Sequence, residues 1–236
     1  MIKIVLPLTL LLLPLLAAAQ NAVSLQVGLN GAALRTVENV EIGERIYETT
    51  GASKPALGGQ VAATFHHVVH SKVALQYQLR YQRNHTTAEW SLSLPETYNI
   101  PGYLGTESLT FDYVGMSIKP GYRIVRDNFI LTPSLGVGLD YLIAAQGKIR
   151  AFYSNSTVGS ITQTIDLSEQ PFRRLTPEFS GELEAAFRVD DTMFITSAFG
   201  LAYKNIYSEA TELGTDRMNM YVPYFNIGVR NVLKAR

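Results

Sequence analysis

Residues 71–84 carry the feature that most constrains the fold, a strict alternation of apolar and polar side chains. They read SKVALQYQLRYQRN. One parity is polar apart from Ala74, and the other is apolar: Val73, Leu75, Tyr77, Leu79 and Tyr81. A period of two predicts an extended strand with one apolar face and one polar face. The two faces of this strand therefore meet different surroundings.

Seven further segments repeat this pattern. In chain order, the eight predicted strands are 23–34, 55–68, 71–84, 108–120, 129–143, 178–189, 193–205 and 219–233. In the fourth segment we expect Phe111 and Tyr113 on the apolar face, with a change of parity near Gly115 at a β-bulge. In the eighth, the pattern predicts a strand but is irregular around Pro223.

The connections between these strands alternate between short and long. The links at 69–71, around 126–128 and at 190–192 are short, whereas the other four are much longer. This alternation is typical of an up-and-down barrel in an outer membrane, with tight periplasmic turns and long extracellular loops. The expected fold is therefore all-β, an eight-stranded antiparallel up-and-down transmembrane β-barrel.

The direction of the apolar faces separates this fold from a soluble one. In a soluble sandwich or a lipocalin-like carrier the apolar faces line the interior, whereas in a membrane barrel they meet lipid. Strand length favours the membrane, because soluble strands usually run to about 5–6 residues and each predicted segment here has 12 or more. A sheet in hydrocarbon must also close on itself, so that no edge lacks hydrogen-bond partners. We therefore expect Leu79 to face lipid and Gln78 to face the interior.

The first residues resemble an export signal. Lys3 precedes an apolar run over 4–16 and small residues at 17–19, so we expect 1–19 to be a cleaved signal peptide and 20–236 to be the barrel domain. An uncleaved anchor is the alternative, but the apolar run is short for a membrane span. The chain has no cysteine, hence no disulfide framework or lipobox, and its formal net charge is zero without a basic run. Nucleic acid is therefore not an expected partner.

The predicted inner faces carry a balanced set of eight charges: Arg80, Asp112, Asp140, Glu182, Glu184, Arg188, Lys204 and Arg230. An eight-stranded barrel is barely wide enough for its own side chains, and burying an unpaired charge is costly. We therefore expect a salt-bridge and amide network that fills the lumen, and we hypothesise that the barrel conducts little or nothing. A narrow pore gated by rearrangement of these pairs is the alternative.

Compact catalytic and cofactor motifs are missing from the sequence. It contains no GxSxG, SxxK or HExxH motif and no glycine-rich phosphate loop, so we predict no catalytic, cofactor-binding or metal-binding residue. The histidines of FHHVVH at 65–70 flank a strand end, where extended backbone spreads them too far apart for a usual metal site. A lipid-modifying outer-membrane enzyme is the enzymatic alternative, and its only sequence-local candidate set is His85, Thr86, Thr87 and Glu89.

Two of the long links have sequence patterns that are unusual for loops. The stretches at 148–154 and 160–167 both alternate and flank SNSTVGS, which predicts a hairpin above the membrane. Loop 146–175 is a candidate site for an extracellular protein partner, through β-strand addition, and shielding of the surface is the alternative. The apolar link that contains Trp90 is expected to pack over the barrel mouth or to contact lipopolysaccharide.

Taken together, the chain resembles the small eight-stranded outer-membrane barrels of the OmpA/OmpX type and, in style, the porin-family (PorT-like) outer-membrane β-barrel proteins. The resemblance is carried by a signal segment ending in AAAQ, eight amphipathic strands and a last strand that reads FNIGVRNVL. It implies a non-enzymatic protein of the bacterial outer membrane with a structural, surface-interaction or assembly role. Its surroundings would be outer-membrane lipid and lipopolysaccharide.

The chain end departs from this family. Many such proteins end on an aromatic residue that resembles an assembly signal, whereas this chain ends in LKAR. Recognition by the barrel assembly machinery is therefore expected to rest on Phe225, on Leu233 or on an unusual tail.

Overall fold

The computed structural model describes residues 21–42, 45–92, 103–153, 156–164, 172–211 and 214–233, with side chains described for 21–36, 52–88, 106–148, 172–207 and 216–233. The predicted signal peptide, 1–19, lies outside these ranges. No helix in the described ranges has the length and apolar character needed to cross a membrane. The strands are β1 Asn21–Ile42, β2 Arg45–Ala52, β3 Lys54–His70, β4 Val73–Leu92, β5 Tyr103–Tyr122, β6 Ile124–Arg126, β7 Phe129–Tyr153, β8 Ser156–Thr164, β9 Leu175–Arg188, β10 Met193–Thr211 and β11 Gly214–Leu233.

Eight of these strands form a closed antiparallel barrel, so the predicted fold is confirmed. Around the barrel the order is β1, β3, β4, β5, β7, β9, β10 and β11, and β11 returns to β1. The closing register pairs Leu25 with Val229 and Val27 with Ile227. Closure satisfies the backbone of every barrel strand from its two neighbours, which is the condition for a sheet in hydrocarbon.

The barrel strands continue beyond the predicted segments at the end of the long loops. β2 pairs with the last part of β1. β8 pairs with the last part of β7 in a hairpin, as predicted, but β8 begins at Ser156, inside the stretch predicted as the turn. β4 and β5 stay paired as far as Leu92 and Tyr103. The extensions form because antiparallel neighbours keep exchanging backbone hydrogen bonds after the apolar alternation has ended.

The opposite end carries the short turns. Ser71 and Lys72 connect β3 to β4. The turn before β7 places Asp127 in the left-handed region at a φ of 48°, which a short side chain such as aspartate tolerates. In the turn between β9 and β10, Asp190 Oδ1 accepts hydrogen bonds from the backbone N–H groups of Thr192 at 2.7 Å and Met193 at 2.8 Å.

The surface is inverted relative to a soluble protein, as predicted. The outward faces form an apolar belt in which Leu135 is 74% exposed and Leu25 is 64% exposed. The inward faces carry buried polar residues such as Gln78 and Gln26. Exposed tyrosines, including Tyr81, Tyr141 and Tyr221, border the belt at the long-loop end. An apolar exterior around a polar interior is the arrangement of a barrel embedded in lipid.

The prediction for β5 was wrong in one respect. Phe111 and Tyr113 face the lumen and are 0% and 1% exposed, and the inward parity runs through Gly115 without a change. The irregularity lies instead on the neighbouring strand, where Ile143 is the extra residue opposite the step from Asp112 to Tyr113. Alternation led to the wrong assignment because at this level the apolar Phe111 and Tyr113 face the lumen and the polar Asp112 faces outward.

Candidate functional site in the barrel lumen

Four charged side chains from four strands meet in the middle of the lumen. Arg80 Nη2 lies 2.7 Å from Asp140 Oδ1 and also pairs with Glu178. Lys204 Nζ pairs with Asp140 Oδ2 and lies 3.4 Å from Glu178 Oε2. Each cation therefore contacts both anions, and the four formal charges cancel. We call these four residues the central cluster.

The central cluster is shielded from water. Its four side chains are 0–6% exposed. Lys204 Nζ also donates a hydrogen bond to Gln82 Oε1 at 2.8 Å and lies 4.5 Å from the centre of the Tyr113 ring. Because a buried charge without a partner is strongly unfavourable, removing one member of this cluster leaves an uncompensated charge.

Strand β9 organises the ion pairs along the barrel axis. Its inner face carries Glu178, Glu182 and Glu184 in succession toward the short-turn end, and all three are buried. Glu178 belongs to the central cluster. Glu182 accepts a hydrogen bond from Lys119 Nζ at 2.6 Å and another from the Tyr224 hydroxyl at 2.8 Å.

The lowest level of this column is formed by Glu184. It pairs with Arg230 on β11, and Gln26 Nε2 donates to its Oε2 at 3.3 Å. Each glutamate of β9 thus receives at least one cation from another strand, so no level of the column carries an unbalanced anion.

Two residues of the column were missed from the sequence, Lys119 and Glu178. Each shares the inward parity of its strand, Lys119 with Ser117 and Glu178 with Ser180. That parity is the signal that could have identified them. Both stand beside a proline, Pro120 and Pro177, where the sequence pattern predicts a strand end.

Two of the eight predicted lumen charges lie elsewhere. Asp112 is on the outer face, where it pairs with Arg83 directly across the sheet, at 2.7 Å from Arg83 Nε, and accepts a hydrogen bond from the Tyr81 hydroxyl at 3.1 Å. Its assignment to the lumen was wrong, because β5 keeps one parity from Phe111 onward.

The second exception is Arg188, which is exposed at the last position of β9. Its guanidinium lies 5.7 Å from the centre of the Phe194 ring. Its parity is that of the lumen, but the strand ends there, so the side chain stands at the short-turn rim and not inside the network. The other six predicted residues line the lumen.

An apolar plug closes the lumen above the central cluster, at the long-loop end. Its buried members are Ala32, Leu34, Phe111, Tyr113, Leu142, Ala145, Ala202, Ile206, Met220, Val222 and Tyr224. Phe172 packs edge-on against Phe111, with ring centres 5.3 Å apart. The plug and the central cluster are in direct contact, since Lys204 lies over the ring of Tyr113.

Glycine makes room for the central cluster at one critical position. Gly115 lies on β5 opposite Asp140, and a Cβ added to it would overlap Asp140 Oδ1. The absent side chain thus provides the space that the carboxylate occupies. Gly200 does the same for the ring of Tyr224.

Of the candidate enzymatic set around His85, the described residues His85 and Thr87 line one surface pocket. His85 Nδ1 lies 2.9 Å from the hydroxyl of Thr110 on β5. Thr86 points to the other side of the sheet, is buried and donates to the backbone carbonyl of Lys54 at 3.3 Å. The side chain of Glu89 lies outside the described residues. Within the described residues, no three histidine, aspartate or glutamate side chains are grouped to hold a metal ion.

Comparison with known proteins gives similarity in structure only. No protein-family model and no curated protein matches the sequence. A major outer membrane protein of Thermus thermophilus is 11% identical, with 92% of this chain and 100% of that chain covered and a TM-score of 0.45. Neisserial surface protein A is 12% identical over 90% and 99% of the two chains, with a TM-score of 0.42. Outer membrane protein OprG of Pseudomonas aeruginosa is 10% identical over 90% and 96%, with a TM-score of 0.40.

These matches assign no function to the chain, since their TM-scores are below 0.5 and their identities are 10–12%. Two of the three are outer membrane proteins by name. The PorT-like part of that resemblance stays a prediction. The architecture follows from the structure itself: the chain is an eight-stranded antiparallel β-barrel of the transmembrane type.

Proposed function

We propose that the protein is an integral β-barrel of a bacterial outer membrane with a structural or surface-interaction role and a lumen that does not conduct. One observation carries this proposal. The lumen is occupied along its axis, first by the apolar plug and then by the charge-balanced column on β9. An ion on this path meets an apolar barrier and then paired side chains.

The narrow barrel supports a sealed lumen. The interior of an eight-stranded barrel is just wide enough for its own side chains. Here those side chains include large buried residues at several levels, among them Phe111, Lys204 and Gln26. Opening a path would require separating buried ion pairs, which would leave their charges uncompensated.

We further propose that the short-turn end faces the periplasm and that the long-loop end faces outward. The first barrel strand begins and the last barrel strand ends at the short-turn end, where Asn21 pairs with Leu233. The paired extensions of β1–β2 and β7–β8 project from the other end. In this orientation, loop 146–175 is presented to lipopolysaccharide or to an extracellular partner. Residues 1–19 act as the cleaved signal peptide, and the barrel assembly machinery inserts 20–236.

Single-channel recording tests the sealed lumen. Purified protein inserted into a planar lipid bilayer is expected to show no stable conductance steps. Insertion is verified separately in vesicles by heat-modifiable gel migration, since a folded barrel and its boiled form run differently. Reproducible unitary conductance from the inserted protein would contradict the proposal.

Location and orientation are tested in cells. The heat-modifiable band is expected in the outer-membrane fraction, and protease added to intact cells is expected to cleave within 146–175. Cleavage only after the outer membrane is permeabilised would reverse the proposed orientation.

A further inference from the structure

A cavity of about 630 Å³ opens at the short-turn end of the barrel. We call it the short-turn cavity. Its charged and amide lining residues include Gln76, Arg123, Arg188 and Arg230. Its apolar lining residues include Ile130, Phe194 and Val232. A volume of this size is in the range that holds small-molecule ligands.

The charged lining of the short-turn cavity is predominantly positive. Three guanidinium groups line it, from Arg123, Arg188 and Arg230, against the single carboxylate of Asp191, which is exposed at the turn. Arg230 is paired with Glu184. Among the described residues, Arg123 Nη1 donates to the backbone carbonyl of Ser71 at 3.5 Å, and Arg188 lies over the Phe194 ring.

Two buried donors of the lining have no acceptor among the described residues. They are Gln76 Nε2 and Arg230 Nε, on residues that are 1% and 6% exposed. A buried donor left without a partner is unfavourable, and both donors belong to residues that line the short-turn cavity. Guanidinium groups are well suited to carboxylate and phosphate, because their donors form a planar fork.

Part of the cavity lining is apolar. Ile130 and Phe194 form a buried cluster with Ala186, and Val232 packs against them. A ligand that fills the cavity thus meets both apolar side chains and guanidinium groups. This combination favours an anion that carries a compact apolar group over a bare inorganic ion.

We propose that the short-turn cavity binds a small organic anion, with a carboxylate or phosphate head held by Arg123, Arg188 and Arg230 and an apolar group packed on Phe194 and Ile130. Only the location of this ligand in the periplasm rests on the proposed function. Binding itself is independent of the orientation in the membrane and of whether the lumen conducts.

Titration of the purified, folded barrel with small probes tests the proposal. Benzoate and phenyl phosphate are added to the protein in neutral detergent, and binding is followed by calorimetry or by NMR. Both are expected to bind saturably at one site, and their relative affinities tell whether the head is a carboxylate or a phosphate. Benzyl alcohol and inorganic phosphate are expected to bind at least tenfold more weakly, because each lacks one half of the proposed ligand.

Charge-neutralising variants locate the site. Arg123→Gln and Arg188→Gln are each expected to weaken binding of phenyl phosphate at least tenfold. Arg126→Gln is the matched control, since Arg126 is exposed at the same end of the barrel but does not line the cavity, and it is expected to leave the affinity unchanged. Heat-modifiable migration shows that each variant is folded.

Three results would overturn the proposal: unsaturable binding, equal affinity in the wild type and both cavity variants, or equal weakening by Arg126→Gln. Inorganic phosphate binding as tightly as phenyl phosphate would overturn the assignment of an organic anion.

Discussion

Lys119 Nζ lies 2.6 Å from Glu182 Oε2 inside the barrel, and the two side chains are 1% and 2% exposed. The Tyr224 hydroxyl donates to the same carboxylate oxygen. Residues 119 and 182 lie on strands that are not neighbours in the sheet, since β7 separates β5 from β9. The pair therefore bridges over β7 on the inner side of the barrel wall.

Breaking this pair on one side should cost more than removing it entirely. Lys119→Met leaves Glu182 buried without its cation and is expected to lower the free energy of unfolding by about 3–5 kcal/mol. The double variant Lys119→Met with Glu182→Gln is expected to regain much of that loss, because no unpaired charge remains. Urea unfolding in phospholipid vesicles, followed by gel migration of the folded form, measures both. A double variant less stable than the single one would contradict the pairing.

The space above Gly115 provides a test of the central cluster. Gly115→Ala places a methyl group where Asp140 Oδ1 lies, so the carboxylate must shift away from Arg80 and Lys204. We expect a loss of about 1–3 kcal/mol of unfolding free energy, typical of overpacking. Gly181→Ala is the matched control, since the nearest atom to its added Cβ is Leu135 Cδ2 at 3.8 Å. Equal effects at both positions would show that Asp140 is not confined as described.

The apolar plug predicts that truncating two phenylalanines to alanine will lower the free energy of unfolding by different amounts. Phe199 is 63% exposed on the outer face, whereas Phe111 is completely buried in the plug. Phe199→Ala is expected to lose only the free energy of transferring the ring from water to lipid. Phe111→Ala also leaves a cavity and is expected to cost about 3–5 kcal/mol. The same unfolding experiment compares them, and a smaller loss for Phe111→Ala than for Phe199→Ala would argue against a packed plug.

The apolar belt predicts a cost that depends on depth. Leu135 lies halfway along the belt segment of β7, between Phe129 and Tyr141. Leu135→Arg is therefore expected to lower stability in vesicles by about 2–4 kcal/mol, as for a charge near the centre of a bilayer. Tyr141→Arg, at the border of the belt, is expected to cost about 0–1 kcal/mol. Equal and negligible costs at both sites would mean that the belt does not face lipid.

Much of the barrel could be predicted from local patterns. The alternation at 71–84 identified a strand and the outward direction of Leu79, which is 57% exposed. The predicted short links at 69–71, around 126–128 and at 190–192 overlap the turns of the structure at Ser71–Lys72, Asp127–Asn128 and near Asp190. Prediction succeeded here because each property depends on neighbouring residues in one strand or one turn.

The contents of the lumen could be predicted only in part. Arg80, Asp140 and Lys204 were identified as inward charges, but their shared partner Glu178 was not. Asp112 was assigned to the lumen because it alternates with Phe111 and Tyr113, and the structure shows that the aromatic residues lie inside and Asp112 outside. Where the plug makes the interior apolar, hydrophobicity no longer distinguishes the two faces of a strand.

The sequence by itself determined that apolar and polar side chains alternate along the strands and that short and long links between strands alternate. It also determined that the apolar faces belong outside a closed sheet. Only the tertiary structure decided which charges meet, that Glu178 joins Arg80 and Lys204, and that Lys119 reaches Glu182 over β7. The physical reason is that alternation is a property of each strand alone. Contacts across a barrel depend instead on the stagger between strands and on the space left by residues such as Gly115, which are set only when the sheet closes.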